Sequence, residues 1–531
     1  MTTIYNHGRA STWLAVLPVV VICAFVVLPV VNIFVSSLEV DSLKLLNTDA
    51  IRNIVWFTVW QALASTAIAL LVAIPIAFYM SNFKFAMQRV ITSLISMPFI
   101  LPSIVVGAAF LQILPRSMHR TAFALILAHV YFNFGFAVRL ISTRWLQIHP
   151  HLDDAARTLG ASPLLLFITV TLPLLRKAIV NVALVVFTLC FTSYGVVRIL
   201  GGPSRSTLET EIYFRAMQLG DVSGAMILSL LQISVISIVF LALNKPNHNA
   251  LDRPTRPIIS RQRPLRTNTK KIIITITISC ATVFAVAPVF AIALKSVIIN
   301  SRFTTAVWRA VFTNPGVIQS LNKTLIYGIV ATTLATLFGL LSACSIAYGN
   351  PKFQIILPLT ALPIVISAVS IGLGIIITFD SQPIDWRGTQ FILPLAHALV
   401  ALPLTMRIIV PVLQAIPDSL RQASSLLGGS PWQTWCNIDF KISRRAIISA
   451  AAISIAVSIG EFGASSLLTR RGAETLPITI SRLLSRPGDL VQSQAFALAT
   501  LLAIFSIAII FIIDSLNIDS NNNVKMSNPD A

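Results

Sequence analysis

His151-Leu-Asp-Asp-Ala-Ala-Arg-Thr-Leu-Gly160-Ala-Ser-Pro163 returns 268 positions later as Ser419-Leu-Arg-Gln-Ala-Ser-Ser-Leu-Leu-Gly428-Gly-Ser-Pro431. Each copy reads as a short helix stopped by a glycine that can take the left-handed cap conformation. A serine placed to cap a second helix follows, with a proline at that helix's first position. In the second copy Asp418 stands where it can cap the first helix. The same register, without a gap, carries Leu127-Ala128-His129 onto Leu395-Ala396-His397, Arg139 onto Arg407 and Arg176 onto Arg444. It also carries Gly195 onto Gly463, Thr207-Leu208 onto Thr475-Leu476 and Gly220-Asp221 onto Gly488-Asp489. So long a shared register is an internal repeat of a whole domain, and a pathway between two homologous halves is the first functional inference.

Composition says what surrounds those halves. Of 531 residues, 56% are hydrophobic and 11% charged, with a mean hydropathy of +0.83. No soluble core could bury that much apolar surface, so the chain needs a bilayer. The formal charge of +20 does not mark a nucleic-acid protein, because the Lys and Arg residues lie between apolar runs with no aromatic-interleaved groove pattern. Membrane topology accounts for it. Four of the five cysteines, Cys23, Cys190, Cys280 and Cys344, fall in apolar runs and Cys436 in a loop, with no CxxC pair. Neither a disulfide framework nor a metal site is expected.

Apolar runs long enough to cross the hydrocarbon layer number twelve. They cover 13–35, 56–80, 90–114, 121–142, 178–199 and 223–243, then 272–294, 324–348, 355–379, 390–410, 446–468 and 494–514. The first lacks a small-residue cleavage site and reads as a retained span. Six spans return the chain to its starting side, so both halves share one orientation, as a parallel repeat requires. The expected organisation is a first six-helix domain over 1–244, a basic, proline-bearing cytoplasmic linker over 245–271, a second six-helix domain over 272–516 and a polar tail over 517–531. The fold class is therefore all-α integral membrane.

The loop between spans four and five resembles the signature of the permease subunits of binding-protein-dependent ATP-binding-cassette importers. That signature is Glu-Ala-Ala, three residues, Gly, nine residues, Ile, one residue, Leu-Pro. The first copy matches with Asp154-Ala155-Ala156, Gly160, Val170 and Leu172-Pro173. The second is degenerate, with Gln422-Ala423-Ser424, Gly428 and Ile438, but Phe440-Lys441 at the end. The resemblance covers nearly the whole chain, and the fused double arrangement looks most like the thiamine and iron(III) permeases. Ala128 to Asn133 with Arg139, and Gly201-Gly202-Pro203 followed by Thr207 to Tyr213, look closer to the thiamine branch.

What the resemblance implies is a type I importer permease in the bacterial plasma membrane, in contact with lipid. Its two cytoplasmic coupling helices, at Asp154, Ala155, Ala156, Gly160, Ser162 and Pro163 and at Gln422, Ala423, Ser424, Gly428, Ser430 and Pro431, dock on a dimer of ATPase subunits. An extracytoplasmic solute-binding protein delivers a small solute, thiamine or ferric iron. No enzyme activity and no cofactor is expected of this chain: it contains no Gly-Lys dipeptide with which to build a phosphate loop, so ATP and Mg belong to the partner. Asp154 keeps the signature's charge on a shorter arm and Gln422 loses it, so the two contacts are expected to be unequal.

Ionisable groups within the apolar runs are the other functional candidates, since each is costly there and usually faces a partner or a wet path. His129 and His397 are read either as hydrogen-bonding a neighbouring helix or as lining the path, with a metal site the least supported role. Glu461 has no counterpart, because the first half carries Ser193 there. It is read either at the path or as a local cap. An ion-coupled secondary transporter built from parallel repeats is the alternative class, but it would have no use for two Gly-Ser-Pro hairpins and would need more buried acids.

Overall fold

An apolar chain in a bilayer must satisfy its backbone internally, and this one does so with helices. The computed structural model describes residues 7–37, 44–85, 87–243, 262–264, 268–299, 302–348, 356–381, 384–385, 389–470 and 472–526. Apart from three pairs of two-residue strands, the regular structure among these is helical. Of the expected linker, residues 245–261 and 265–267 lie outside the described residues, as do 527–531 of the tail.

Among the described residues ten helices are long and apolar enough to span, and two sharply bent pairs bring the number to twelve if each pair is one span. The pairs are the third runs of each half. The first joins α4 (Gln88–Ile100) to α5 (Ser103–Ile113) and bends by 101°; the second joins α16 (Ile356–Val365) to α17 (Ala368–Phe379) and bends by 105°. The sequence reads each as one continuous apolar run; the break comes from the backbone. Pro102 has no N–H to continue a helix, and the Ser367 hydroxyl accepts the Ser370 N–H to start a new one.

The fifth runs differ in another way. In place of 178–199 and 446–468, the spanning helices run over Pro163–Phe191 and Pro431–Gly460. Each therefore begins at the Ser-Pro of the hairpin and contains a π-helical turn, Phe167–Thr171 in one and Trp435–Asp439 in the other, at the same register. In both, the first residue after the turn donates its N–H five residues back, Leu172 to Phe167 and Phe440 to Trp435. Pro173 is not the cause, since Lys441 occupies its register with the turn intact.

Two compact units form, and neither is a contiguous half of the sequence. One comprises Met1–Leu45, Ile212–Leu230 and Thr305–Ala531, the other Leu46–Glu211 and Leu231–Thr304. The first unit thus takes in α1 (His7–Ile22) and α2 (Leu28–Ser36) from the opening of the chain. They pack on α15 (Pro315–Tyr348) and α17: Phe25 lies 5.1 Å from Phe379 between ring centroids, Asn32 donates to the Thr378 hydroxyl at 3.1 Å, and Pro29 abuts Gly374. The second unit likewise takes in α13 (Asn268–Lys295), which opens the second half. It packs on α4 and α5, and its Ala285 carbonyl accepts the buried Tyr131 hydroxyl at 2.9 Å. The halves 1–244 and 272–516 are repeats of sequence; the units of packing exchange their opening helices.

Small residues let the helices approach closely, as the lack of a strong hydrophobic drive in lipid requires. Ala331 and Ala335 of α15 meet Ala398 and Ala401 of α18 (Ile392–Ala415). In the second unit α6 (Ala122–Leu146) brings Gly135 against α4 so closely that an added methyl would lie 1.9 Å from the Ile95 carbonyl oxygen. That neighbour is backbone and cannot swing aside. Gly135→Ala should therefore lower stability by about 2 kcal/mol or more, read as a fall in the thermal midpoint of the detergent-solubilised chain. Gly328→Ala, whose methyl meets side-chain atoms at 3.4 Å and beyond, should leave it nearly unchanged.

Candidate functional site

The two hairpins are built by the same local chemistry. In the first, α7 (Pro150–Thr158) ends in a pair of reversing bonds: Gly160 donates to the Arg157 carbonyl at 2.9 Å and Ala161 to the Ala156 carbonyl at 3.0 Å. In the second, α19 (Asp418–Leu426) ends with Gly428 donating to Ser425 at 3.0 Å and Gly429 to Ser424 at 2.9 Å. This is a Schellman motif, and it requires a left-handed residue at its centre; Gly160 has φ +83° and Gly428 φ +79°. The next arm starts with a serine cap in each case, Ser162 accepting from Leu165 N–H and Ser430 from Gln433 N–H, with Pro163 or Pro431 following. Gln433 closes a capping box by accepting the Ser430 N–H at 2.8 Å. Asp418 differs from expectation. It is the first helical residue and does not cap; its carboxylate takes Arg421 instead.

Asp154, Ala155, Gln422 and Ala423 are exposed, while Ala156 and Ser424 are half-buried, Ser424 sharing a 2.7 Å hydrogen bond with Thr434. Around them each hairpin leaves large apolar side chains in the open. Leu159 is 88% exposed and Leu427, at its register, 89%; Leu164 is 68% exposed and Trp432, at its register, 72%. Nothing in the fold of the chain calls for leucine at such tips.

Behind these equivalent tips the anchoring differs. The first hairpin is held by aromatic stacking: Phe167 in the π-turn lies 6.0 Å from Trp145, which lies 5.5 Å from Phe78 of α3 (Asp49–Asn82). The second is held by charge. Arg421 of α19 donates through Nε to Asp439 in the π-turn at 3.0 Å, through Nη1 to Asp418 at 2.9 Å and through Nη2 to the Leu413 carbonyl at 3.3 Å. Its guanidinium sits 4.7 Å from the centre of the Tyr348 ring, and Trp435 meets that ring edge-on. Burial disfavours the Arg421 charge, but Asp439, Tyr348 and Asp418 together outweigh it and hold its pKa above the ordinary arginine value.

Within the helices, polar side chains gather where helices break. Glu461 follows α21 (Phe440–Gly460) and precedes α22 (Gly463–Leu468). Its buried carboxylate accepts N–H bonds from Ala464 at 2.8 Å and Ser465 at 2.9 Å, and the Ser465 hydroxyl at 2.8 Å. His397 on α18 completes the cluster, with Nε2 3.3 Å from the carboxylate and Nδ1 2.9 Å from the Ser458 hydroxyl. His129 sits differently. Its Nδ1 bonds to Gln61 at 2.9 Å, and Gln61 passes its own amide hydrogen to the Cys190 carbonyl at 3.1 Å. Its buried Nε2 has no hydrogen-bond partner among the described residues; Val197 stands at the register of Ser465.

Glu209, in α11 (Leu208–Phe214), is the site residue that sequence reading passed over. It is fully buried and accepts the Gln232 amide at 2.8 Å. The second half carries Pro477 at that register, as the first carries Ser193 at that of Glu461, so both acids break the repeat. A charged residue in an otherwise apolar half, breaking the repeat, was the available signal. Among the described residues no group of His, Cys, Asp and Glu could hold a metal ion.

Glu461→Ala should leave the Ala464 and Ser465 N–H groups at the start of α22 without their acceptor and remove the carboxylate beside His397 Nε2, which keeps the Ser465 hydroxyl at 2.8 Å. A loss of about 3 kcal/mol follows, whereas Glu461→Gln, which keeps one acceptor oxygen, should lose about 1 kcal/mol. Thermal midpoints of the two purified variants should separate in that order.

The sequence pattern of the family described as binding-protein-dependent transport system inner membrane component matches this chain twice, over residues 70–246 and 335–517. The thiamine transport system permease protein of Brucella abortus (strain 2308) is 25% identical over 481 residues, covering 86% of each chain. The protein of the same description from Escherichia coli K12 is 24% identical over 449 residues, 80% of this chain and 82% of that one. A Salmonella typhimurium LT2 protein named for 2-aminoethylphosphonate transport is 31% identical over 181 residues, 34% of this chain and 68% of its own. Each matched segment holds one of the two glycine-broken, serine-capped hairpins, and the chain belongs to this family of transport permeases as a multi-pass protein of the bacterial plasma membrane.

Proposed function

We propose that the chain is the complete membrane pathway of a thiamine importer, driven by a separate pair of ATPase subunits and fed by an extracytoplasmic binding protein. The observation that carries the coupling half of this reading is the pair of hairpins. Two surfaces of identical backbone, each ending in exposed leucine, suit a two-fold partner better than solvent, because solvent would favour polar tips. Family membership supports an ATPase dimer as that partner. In this reading ATP and Mg stay on the ATPase subunits, and the chain's own part is mechanical. The substrate half rests on the collinear likeness to thiamine permeases across both repeats. Glu461, His129 and His397 enter as groups that hold the helices beside the path.

Thiamine is a cation, and labelled thiamine uptake by a strain lacking this chain tests the substrate directly. Restoration by the intact gene, with no competition from excess 2-aminoethylphosphonate or ferric citrate, is the expected result. Uptake that collapses with a protonophore while cellular ATP is maintained would mark an ion-coupled carrier instead.

The docking surface has its own test. Leu159→Glu with Leu427→Glu alters side chains that touch little of the chain itself, so insertion and thermal midpoint should not change. Retention of the ATPase subunits through a tag on this chain should fall at least about tenfold, since a charge placed in an apolar contact costs on the order of 1–3 kcal/mol. Full retention and full uptake would sink the docking reading.

A further inference from the structure

The anchoring of the second hairpin carries an inference that rests on this docking reading and goes past it. In the first copy the signature acid, Asp154, is exposed at the surface. In the second copy the signature position is neutral Gln422, and the residue before it, Arg421, carries a positive charge on a side chain that is 16% exposed. Asp439, which it meets, is 5% exposed. At the same registers the first copy has Asp153 and Thr171, a combination that cannot form this pair.

The pair joins four pieces of one compact unit. Arg421 belongs to α19, the docking arm. Asp439 closes the π-turn from which α21 continues, and that turn also anchors Ser443, whose hydroxyl donates to the Asp439 carbonyl at 2.6 Å. Leu413 lies in the last turns of α18, and Tyr348 ends α15. A single planar group therefore meets the ends of three long helices and the arm that the ATPase would push. A guanidinium fixed at Nε, Nη1 and Nη2 resists both rotation and sliding, which an aromatic stack such as Phe78, Trp145 and Phe167 resists far less, because rings in contact can slip.

We propose that Arg421, through Asp439, is the positioning residue that transmits displacement of the second hairpin into α15, α18 and α21, taking over in the degenerate copy the part that the signature acid plays outward in the first. The consequence is two coupling routes of different chemistry: an apolar one behind Gly160 and an ionic one behind Gly428. The pair is a transmission element and not merely a prop, so its removal should separate ATP hydrolysis from transport.

The decisive variant removes both charges at once. Arg421→Leu with Asp439→Leu leaves no buried charge unpaired, and apolar replacement of a buried ion pair is often neutral or stabilising, so the chain should insert and keep its ATPase subunits. In proteoliposomes holding the complete complex with its binding protein, ATP hydrolysis should stay within about twofold of normal while solute moved per ATP falls about tenfold. Arg421→Asp with Asp439→Arg should recover much of that ratio, and Arg421→Lys should fall between. The ratio is read with thiamine; if thiamine is not carried, it is read with whichever of 2-aminoethylphosphonate and ferric citrate the intact chain takes up, and the same fall is expected. A double-leucine complex that couples normally would overturn the inference, and so would one that simply loses its ATPase subunits, since the pair would then be a prop. Leu427→Glu distinguishes the two levels: loss of the ATPase there, together with normal coupling in the double-leucine variant, leaves docking standing and removes only the Arg421 route.

Discussion

Every break in an apolar helix frees N–H and C=O groups that nothing in lipid can satisfy, and the arrangement of polar side chains in this protein follows from that constraint. The Leu208 N–H at the start of α11 is met by the Thr58 hydroxyl at 3.0 Å, and the Leu476 N–H at the start of α23 (Leu476–Leu484) by the Thr324 hydroxyl at 2.8 Å. These are the same contact made once in each repeat. Glu461 does the corresponding work at α22, Ser367 at α17, and Gln61 meets the Cys190 carbonyl where α9 (Leu172–Phe191) runs out. Polar residues at these breaks are in this sense backbone substitutes.

How much of this could be read without coordinates depends on the range of the interaction. The hairpins were legible because caps are local: Gly160, Ser162 and Pro163 determine the backbone within a few residues, and the 268-residue register repeats them. Twelve apolar runs were legible for the same reason. The exchange of α1 and α2 with α13 was not, because an apolar helix carries no mark of which neighbour it packs on. Nor were the bends near Pro102 and Ser367, where hydropathy is continuous and only backbone hydrogen bonding is interrupted. Arg421 and Asp439 stand eighteen residues apart with no periodicity to join them; only the fold of the hairpin brings them into contact.

The two histidines show where repeat symmetry stops guiding the reading. His129 and His397 share a register, yet one is held through Gln61 and the other between Ser458 and the Ser465–Glu461 pair. His129 meets an amide that passes its own hydrogen to the Cys190 carbonyl, whereas His397 meets the hydroxyl of Ser458, which stands at the register of Cys190. The register is kept at each histidine while its partners change: His397 Nε2 meets the Ser465 hydroxyl at 2.8 Å, and His129 Nε2 has no hydrogen-bond partner among the described residues.

Divergence of fused copies is the wider consequence. Two identical subunits must answer a two-fold partner identically, whereas two halves of one chain are free to drift so long as each still meets its own half of the partner. Here the drift has a direction. The exposed tips, Leu159 with Leu164 and Leu427 with Trp432, are apolar in both copies. Behind them the copies differ: aromatic contacts stand behind the first hairpin and an ion pair behind the second, and Glu209 is buried in one half, Glu461 in the other. Fusion in one chain thus lets repeats that are alike in register carry unlike charges, which a symmetric pair of identical subunits could not do.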